Sequence, residues 1–518
     1  MKIKDKIIDF LIKYGVIIIA FIIGFLGVLS IFITAYFKTT YNSATEVTYF
    51  KFSFGIIEII LSAVFICLFL FIQRKILKKI PNKVLLVAIS FILLVVFIGW
   101  IYILKLEPID DQKRIHEMAI DLIQGKIGLH FAKPMYLFLY PYQLGIVFFT
   151  SIFYRIFGQN FLVFEYVNAI FSIANVYLIY LISKEIFKEE EINKYLLILL
   201  ICFSPYLMFL NTYFYGNIVG LTFALISVLF ILKYLNSKKI YNVLIAGITI
   251  EVSIILKTNY NIFLCGIAII LILEIIKNWD IKKLLIIPVF LAGYFIVSIS
   301  YNISMEKIYN IEIPKGVPMI NFIYMGMSEK NDLYPGWYNG DTLEIYYRNN
   351  LDYDSSKEEA KELIINRLSY FSKNPKDFIG YYAKKIGSTW LNPTFQTIWC
   401  STPGARYEWY PDYAEYLNHH QKIISMVAGN LYKVEEKYFD VYQIIIFGLS
   451  SIGIFFISKE CNLQKALLPI IFLGGFLFHI MWETKAIYVI QYYYILLPFS
   501  AYGLYKLSKI VLKKFKLE

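Results

Sequence analysis

Asp110 and Asp111 stand side by side in Glu107-Pro-Ile-Asp-Asp-Gln-Lys-Arg, directly after a long apolar run that ends near Lys105. Adjacent carboxylates at such a boundary can take a proton from an attacking hydroxyl. Two lysines sit at comparable boundaries. Lys257 follows the apolar run Val252–Leu256, and Lys485 falls in Trp482-Glu483-Thr484-Lys485-Ala486-Ile487-Tyr488. A lone lysine there usually only carries its charge to the interface. Two of them beside an acidic pair suit a different role, in which ammonium groups hold a lipid-linked phosphate while a carboxylate accepts the proton.

Helices must position these groups. Ile115, Met118, Ala119, Leu122 and Ile123 recur at helical spacing with charges between them. That pattern predicts an amphipathic helix on the membrane surface, stopped by Gly125. Other candidates stand at outer turns. Asn217 closes the turn that starts at Asn211, and Glu483 and Tyr488 flank Lys485. Trp390, Trp399, Trp409 and Tyr410 lie in a long polar region, where they either stack on sugar faces or pack in an ordinary core. Glu58 and Glu251 interrupt apolar runs, which makes them functional candidates as well. His419 and His420 are adjacent, but no two histidines stand at i, i+4 ligand spacing, so a zinc site is unsupported. Glycine-rich phosphate loops, GxSxG elbows and Walker motifs are absent.

The composition sets the surroundings. Of 518 residues, 58% are hydrophobic and 17% charged, far less charge than a soluble chain carries. Apolar runs of about 18 residues or more recur, each long enough to cross the hydrocarbon core. The net charge of +12 fits basic cytoplasmic loops and does not argue for nucleic acid. Four of the five cysteines lie in or beside apolar segments, so no disulfide framework is expected. The first apolar run is long and lacks a small-residue cleavage site, so no cleavable signal peptide is expected.

Spans are predicted at about 14–36, 52–73, 84–105, 161–183, 194–210, 215–234, 241–257, 260–276, 284–304, 440–457, 465–482 and 487–507. A short polar loop is expected between the first two. The piece at about 141–157 begins with Pro141 and contains Arg155. If it spanned, the basic loops near Lys277–Lys283 and the basic C-terminus would face outward, against the positive-inside rule. It is therefore read as lying along the surface. The expected fold is an all-α polytopic membrane protein of about twelve transmembrane helices, both ends cytoplasmic, with a small mixed extracytoplasmic domain. Residues 1–83 carry two additional helices. Residues 84–304 form the transmembrane core, including the first external loop and juxtamembrane helices at 106–160. Residues 305–439 form the extracytoplasmic domain, and 440–518 the last helices and a basic tail.

Asp111-Gln112…Ile115…Ala119…Leu122…Gly125 resembles the D-E-x-x-Y-x-x-x-A-x-x-L-x-x-G pattern of the GT-C superfamily of membrane glycosyltransferases, which includes protein O-mannosyltransferases and aminoarabinose transferases. Tyr140-Pro141-Tyr-Gln-Leu-Gly145 through Phe157-Gly158 is similar to that family's non-spanning P-P-L…L-F-G helix. Ser204-Pro205, Lys257 and Glu483-Thr-Lys485-Ala-Ile-Tyr488 also resemble family positions, and the similarity covers about 84–507. The resemblance implies inverting sugar transfer from a polyprenyl-phosphate sugar on the outer face of the plasma membrane. Asp111 would be the base with Asp110 as backup. Lys257 and Lys485 would steady the donor phosphate, and Glu483, Tyr488, Asn217 and Trp390 would contact substrate. The acceptor would be a protein, glycan or lipid. Three positions depart from the family: Gln112 replaces the usual Glu, Asn217 an acid, and Ile487 an Arg. They put a second acid, and a divalent metal held between acids, in question. The alternatives are a transporter or flippase of lipid-linked sugars, or a glycopolymer polymerase or ligase. A transporter would gather its polar residues near the midplane, within paired repeats.

Overall fold

The computed structural model describes residues 3–40, 43–277, 281–330, 335–402, 406 and 431–515. Trp409, Tyr410, His419 and His420 lie outside the described residues. The chain opens with α1 (Ile3–Phe32) and a hairpin of β1 (Ile33–Thr40) and β2 (Ser43–Phe52). Next come α2 (Ile56–Lys75), α3 (Asn82–Leu104), α4 (Asp111–Ile123), α5 (Tyr136–Leu139) and α6 (Leu144–Phe157). The central helices are α7 (Phe161–Ile186), α8 (Glu190–Leu210), α9 (Asn217–Ser237), α10 (Tyr241–Leu256), α11 (Asn261–Lys277) and α12 (Ile286–Tyr309). A polar cap follows, with α13 (Met319–Met325), α14 (Asp341–Arg348), α15 (Tyr353–Lys373), α16 (Pro375–Trp390) and α17 (Thr397–Cys400). The chain returns through α18 (Tyr432–Ile457), α19 (Leu463–Met481), α20 (Ile490–Tyr494) and α21 (Leu497–Phe515).

Among the described residues, ten helices are long and apolar enough to cross a membrane. Two stretches account for the difference from about twelve. Helix α10 is apolar but has 16 residues. The last apolar stretch is divided into α20 and α21, and Pro498 sits in the first turn of α21. Proline lacks an N–H and fits the first turn of a helix better than its interior, so it favours a fresh start there. Helix α6, with 14 residues, is about 21 Å long at 1.5 Å per residue, short of the about 30 Å of hydrocarbon.

The connection between α1 and α2 is a correction to the polar loop expected there: it is the antiparallel hairpin, with Ile33 opposite Phe52 and Tyr36 opposite Tyr49. Thr, Tyr, Phe and Val dominate both strands, and such residues fit a pleated surface. The hairpin is tied to the cap, since Ala35 N–H donates to Leu391 O (2.9 Å) and Asn392 Nδ2 to Ala35 O (3.0 Å). Helix α1 packs along α18, and α2 against α18 and α8. Glu58 is absorbed there: Lys437 joins it to Asp440, whose Oδ1 accepts from Thr34 at 3.0 Å. The N-terminal segment is thus packed into the body of the protein.

Candidate active site

Helix α4 carries the acidic pair. Asp111 is its first residue, and Asp110 precedes it with a φ of 50°, a rare value for a residue with a side chain. Ile115, Met118, Ala119 and Leu122 are buried, and α4 packs on α6 through this face. Gly125, at a φ of 74°, follows the end of the helix. Arg114 lies 5.2 Å from the centre of the Tyr136 ring, and Tyr136 and Asp111 line the same cavity. Burial first, and then neighbouring charges including Asp111, hold Tyr136 protonated well above its ordinary range.

Gln112 resolves one departure from the family pattern. Its side chain is buried and its Oε1 accepts from Phe214 N–H at 2.8 Å. It therefore joins α4 to the turn between α8 and α9. Gln112→Ala would leave the Phe214 N–H buried without its acceptor, and the expected cost is about 1–3 kcal/mol. Thermal unfolding in detergent checks this, and Gln112→Glu, which keeps an acceptor, should lose less.

Lys257 occupies the single residue between α10 and the turn Thr258–Tyr260. It is 9% exposed. Its ammonium lies 4.1 Å from the centre of the Tyr215 ring and 5.4 Å from that of Tyr488. Burial pulls it down to about 7, while the negative charges of Glu483 and Asp111 oppose the shift. Close packing sets this position. A Cβ on Gly145 would meet Ile255 O at 1.9 Å, and one on Gly216 would meet Leu256 O at 2.2 Å. Only glycine lets α6 and the start of α9 approach the backbone that leads into Lys257.

The third contributor is the segment after α19. Glu483 is buried, and its N–H donates to Phe322 O at 3.1 Å. Lys485 and Tyr488 are half-buried. A cavity of about 770 Å³ brings Asp110, Asp111, Glu483, Lys485 and Tyr488 together. Tyr136, Tyr140, Tyr142, Tyr215 and Tyr338 line it too. A smaller cavity holds Lys257, Thr258 and Asn259, with Met319, Phe322, Phe478 and Trp482. The two share Tyr142, Gln143, Tyr215, Phe322, Glu483 and Tyr488 as common walls. Acid and cation thus face each other across two adjoining chambers.

Two expected substrate contacts stand elsewhere. Trp390 is 1% exposed and packs against Phe472, Phe476 and Tyr492, so its ring is already covered. Asn217 faces a separate small cavity with Gln491 and Tyr494. Tyr140 and Tyr142 stand in a motif read from the sequence, but none of these five tyrosines was singled out as a wall residue, because little separates them from the others among 44. Among the described residues, no group of three His, Cys, Asp or Glu side chains is arranged to hold a metal ion. With Gln112 engaged by Phe214, the described residues do not form a metal-ligand set, and no step below runs through a metal.

Residues 143–301 match the family model described as dolichyl-phosphate-mannose-protein mannosyltransferase. Among solved structures, the chain is similar to the archaeal oligosaccharyltransferase AglB from Archaeoglobus fulgidus, in complex with an inhibitory peptide and a dolichol-phosphate. The TM-score is 0.43 and the identity 12%, over 86% of this chain and 52% of that chain. The chain therefore spans about half the length of that protein. No curated protein matches the sequence. The matched segment runs from α6 to α12 and carries Lys257 and Tyr215, and with ten helices long and apolar enough to cross a membrane among the described residues, this chain is a multi-pass membrane protein that is similar over this segment to that family of glycosyltransferases.

Proposed function

We propose that this protein transfers a sugar from a polyprenyl-phosphate donor to an acceptor hydroxyl on the extracytoplasmic face of the plasma membrane, with inversion. The observation that carries the reading is the pair of adjoining chambers, with Asp111 in one and Lys257 in the other. The acceptor, a protein, glycan or lipid, enters the larger chamber under the cap, which is read as an extracytoplasmic domain over 305–439. Asp111 takes the acceptor's proton. The acceptor oxygen attacks the anomeric carbon from the side opposite the phosphate, and the bond from that carbon to the phosphate oxygen breaks. The electron pair leaves with the polyprenyl phosphate, whose developing charge Lys257 and Lys485 stabilise. The isoprenoid chain leaves past Met319, Phe322, Phe478 and Trp482, an apolar wall beside Lys257.

The distribution of polar groups supports transfer over transport, since the acids and lysines gather at one end of the helices rather than at their middle. The test is transfer of labelled mannose from polyprenyl-phosphate mannose by the purified protein in liposomes. Label appearing in an added acceptor supports the reading. Label that only crosses the bilayer, still attached to its lipid, would replace the reading with transport.

A further inference from the structure

Lys385 is 1% exposed, on α16 of the cap. Its ammonium donates to Gly326 O, to Ile480 O at 2.8 Å and to Trp482 O at 2.8 Å. An ammonium has three N–H groups, and here all three are used. The acceptors belong to two helix ends. Gly326 caps the C-terminus of α13, and Ile480 and Trp482 stand at the C-terminus of α19. The last carbonyls of a helix lack partners within it and carry partial negative charge, so a cation is favoured there. One lysine therefore caps two helices at once.

Those two helices frame the smaller chamber. Helix α13 contributes Met319 and Phe322, and α19 contributes Phe478 and runs directly into Trp482 and Glu483. Beyond the lysine, the Trp482 and Phe322 rings stack 6.0 Å apart at 4°. Glu483 N–H donates to Phe322 O, and Thr484 N–H to Gly336 O at 2.8 Å. Gly336 lies on the stem of the same lysine: at its φ of 82°, a Cβ would meet Lys385 Cε at 2.4 Å. Asp111 and Lys257 come from other parts of the chain, so their relation to Glu483 depends on this joint.

We propose that Lys385 is a positioning residue that fixes Glu483 and Lys485 against Asp111 and Lys257 by capping α13 and α19 together. Its effect on catalysis rests on the sugar-transfer reading; its effect on the segment does not. Two measurements on the full chain in lipid nanodiscs separate them. The first is amide hydrogen exchange without substrate. In Lys385→Met, the Glu483 and Thr484 amides should exchange at least about tenfold faster, because their segment opens locally at lower cost. Unchanged exchange there overturns the proposal.

The second is a double-mutant cycle on transfer from polyprenyl-phosphate mannose. Lys385→Met should lower kcat by about 10²-fold, the effect of a displaced reacting group. In a Lys485→Met background the same change should cost less than about threefold, because the group it displaces is already gone and the two residues act as one unit. Equal losses in both backgrounds would assign Lys385 a purely structural part. If Lys385→Met does not fold, Gly336→Ala displaces an intact Lys385 and should give the same exchange and coupling; normal values for it overturn the proposal. Faster exchange in a protein whose wild type transfers no sugar would keep the joint and refute the transfer reading.

Discussion

Under the proposed mechanism, Asp111→Asn is expected to lower sugar transfer by about 10²- to 10⁴-fold, the range for losing a general base. The change preserves the shape of the side chain and removes its ability to take a proton at neutral pH. Asp111 is singled out over Asp110 by its surroundings. It is half-buried at the start of α4, beside Tyr136 in the cavity wall, and its charge reaches Lys257. Asp110 is exposed one residue earlier. Asp110→Asn is therefore expected to cost about tenfold or less, well below the loss for the base itself. Initial rates with labelled donor in proteoliposomes check both, beside thermal unfolding to confirm that each variant is folded. The loss at Asp111 should fall mainly on kcat, because proton removal occurs only as the transition state is approached. Undiminished transfer by Asp111→Asn would remove the mechanism.

Lys257→Met should lower kcat by about 10²- to 10³-fold, the loss seen when one donor to a developing anion is removed, and weaken donor binding as well. The pH dependence gives the sharper result. In the empty site burial draws Lys257 down to about 7, so above that pH the amine is mostly neutral. Phosphate needs the ammonium, so donor binding takes up a proton. A polyprenyl-phosphate sugar is a diester whose single negative charge does not titrate in this range. Affinity should therefore be flat below about pH 6 and fall above 7, by up to about tenfold (1.4 kcal/mol) per pH unit. The fall ends where the lysine of the bound state itself loses its proton. Lys257→Arg stays charged at every accessible pH and should flatten the curve. A curve of the same slope in the Arg variant would show that another group sets it.

The parts of the site that were readable in the sequence are those whose signals are local. An acidic pair after an apolar run, followed by a 3.6-residue apolar period and a glycine, is enough to place α4, though not its first residue. Lys257 and Lys485 were visible because a charge at the edge of an apolar run is conspicuous. What failed to show depended on distant partners. Trp390 promised a stacking surface, but Phe472, Phe476 and Tyr492 arrive from later helices and cover it. Asn217 is the first residue of α9, and it lines a separate cavity with Ile490, Gln491 and Tyr494 of α20. The N-terminal hairpin was hidden between two hydrophobic spans whose apolar content masked its strands. Lys385 stands beside Lys384, which is exposed. Two lysines in succession do not reveal that one is buried; that takes the three carbonyls of α13 and α19.

The central claim is that a polyprenyl phosphate seats its head group between the lysines, facing Asp111 across the shared wall of tyrosines. The measurement that addresses it most directly is an electron cryomicroscopy structure of the protein in nanodiscs with polyprenyl phosphate bound. The expected result is phosphate density within about 3.2 Å of Lys257 Nζ, a hydrogen-bond distance, with the chain leaving past Phe322 and Trp482. Phosphate density elsewhere, for instance at the apolar groove of Leu86, Tyr177 and Ile226, with the chamber beside Lys257 empty, would contradict it.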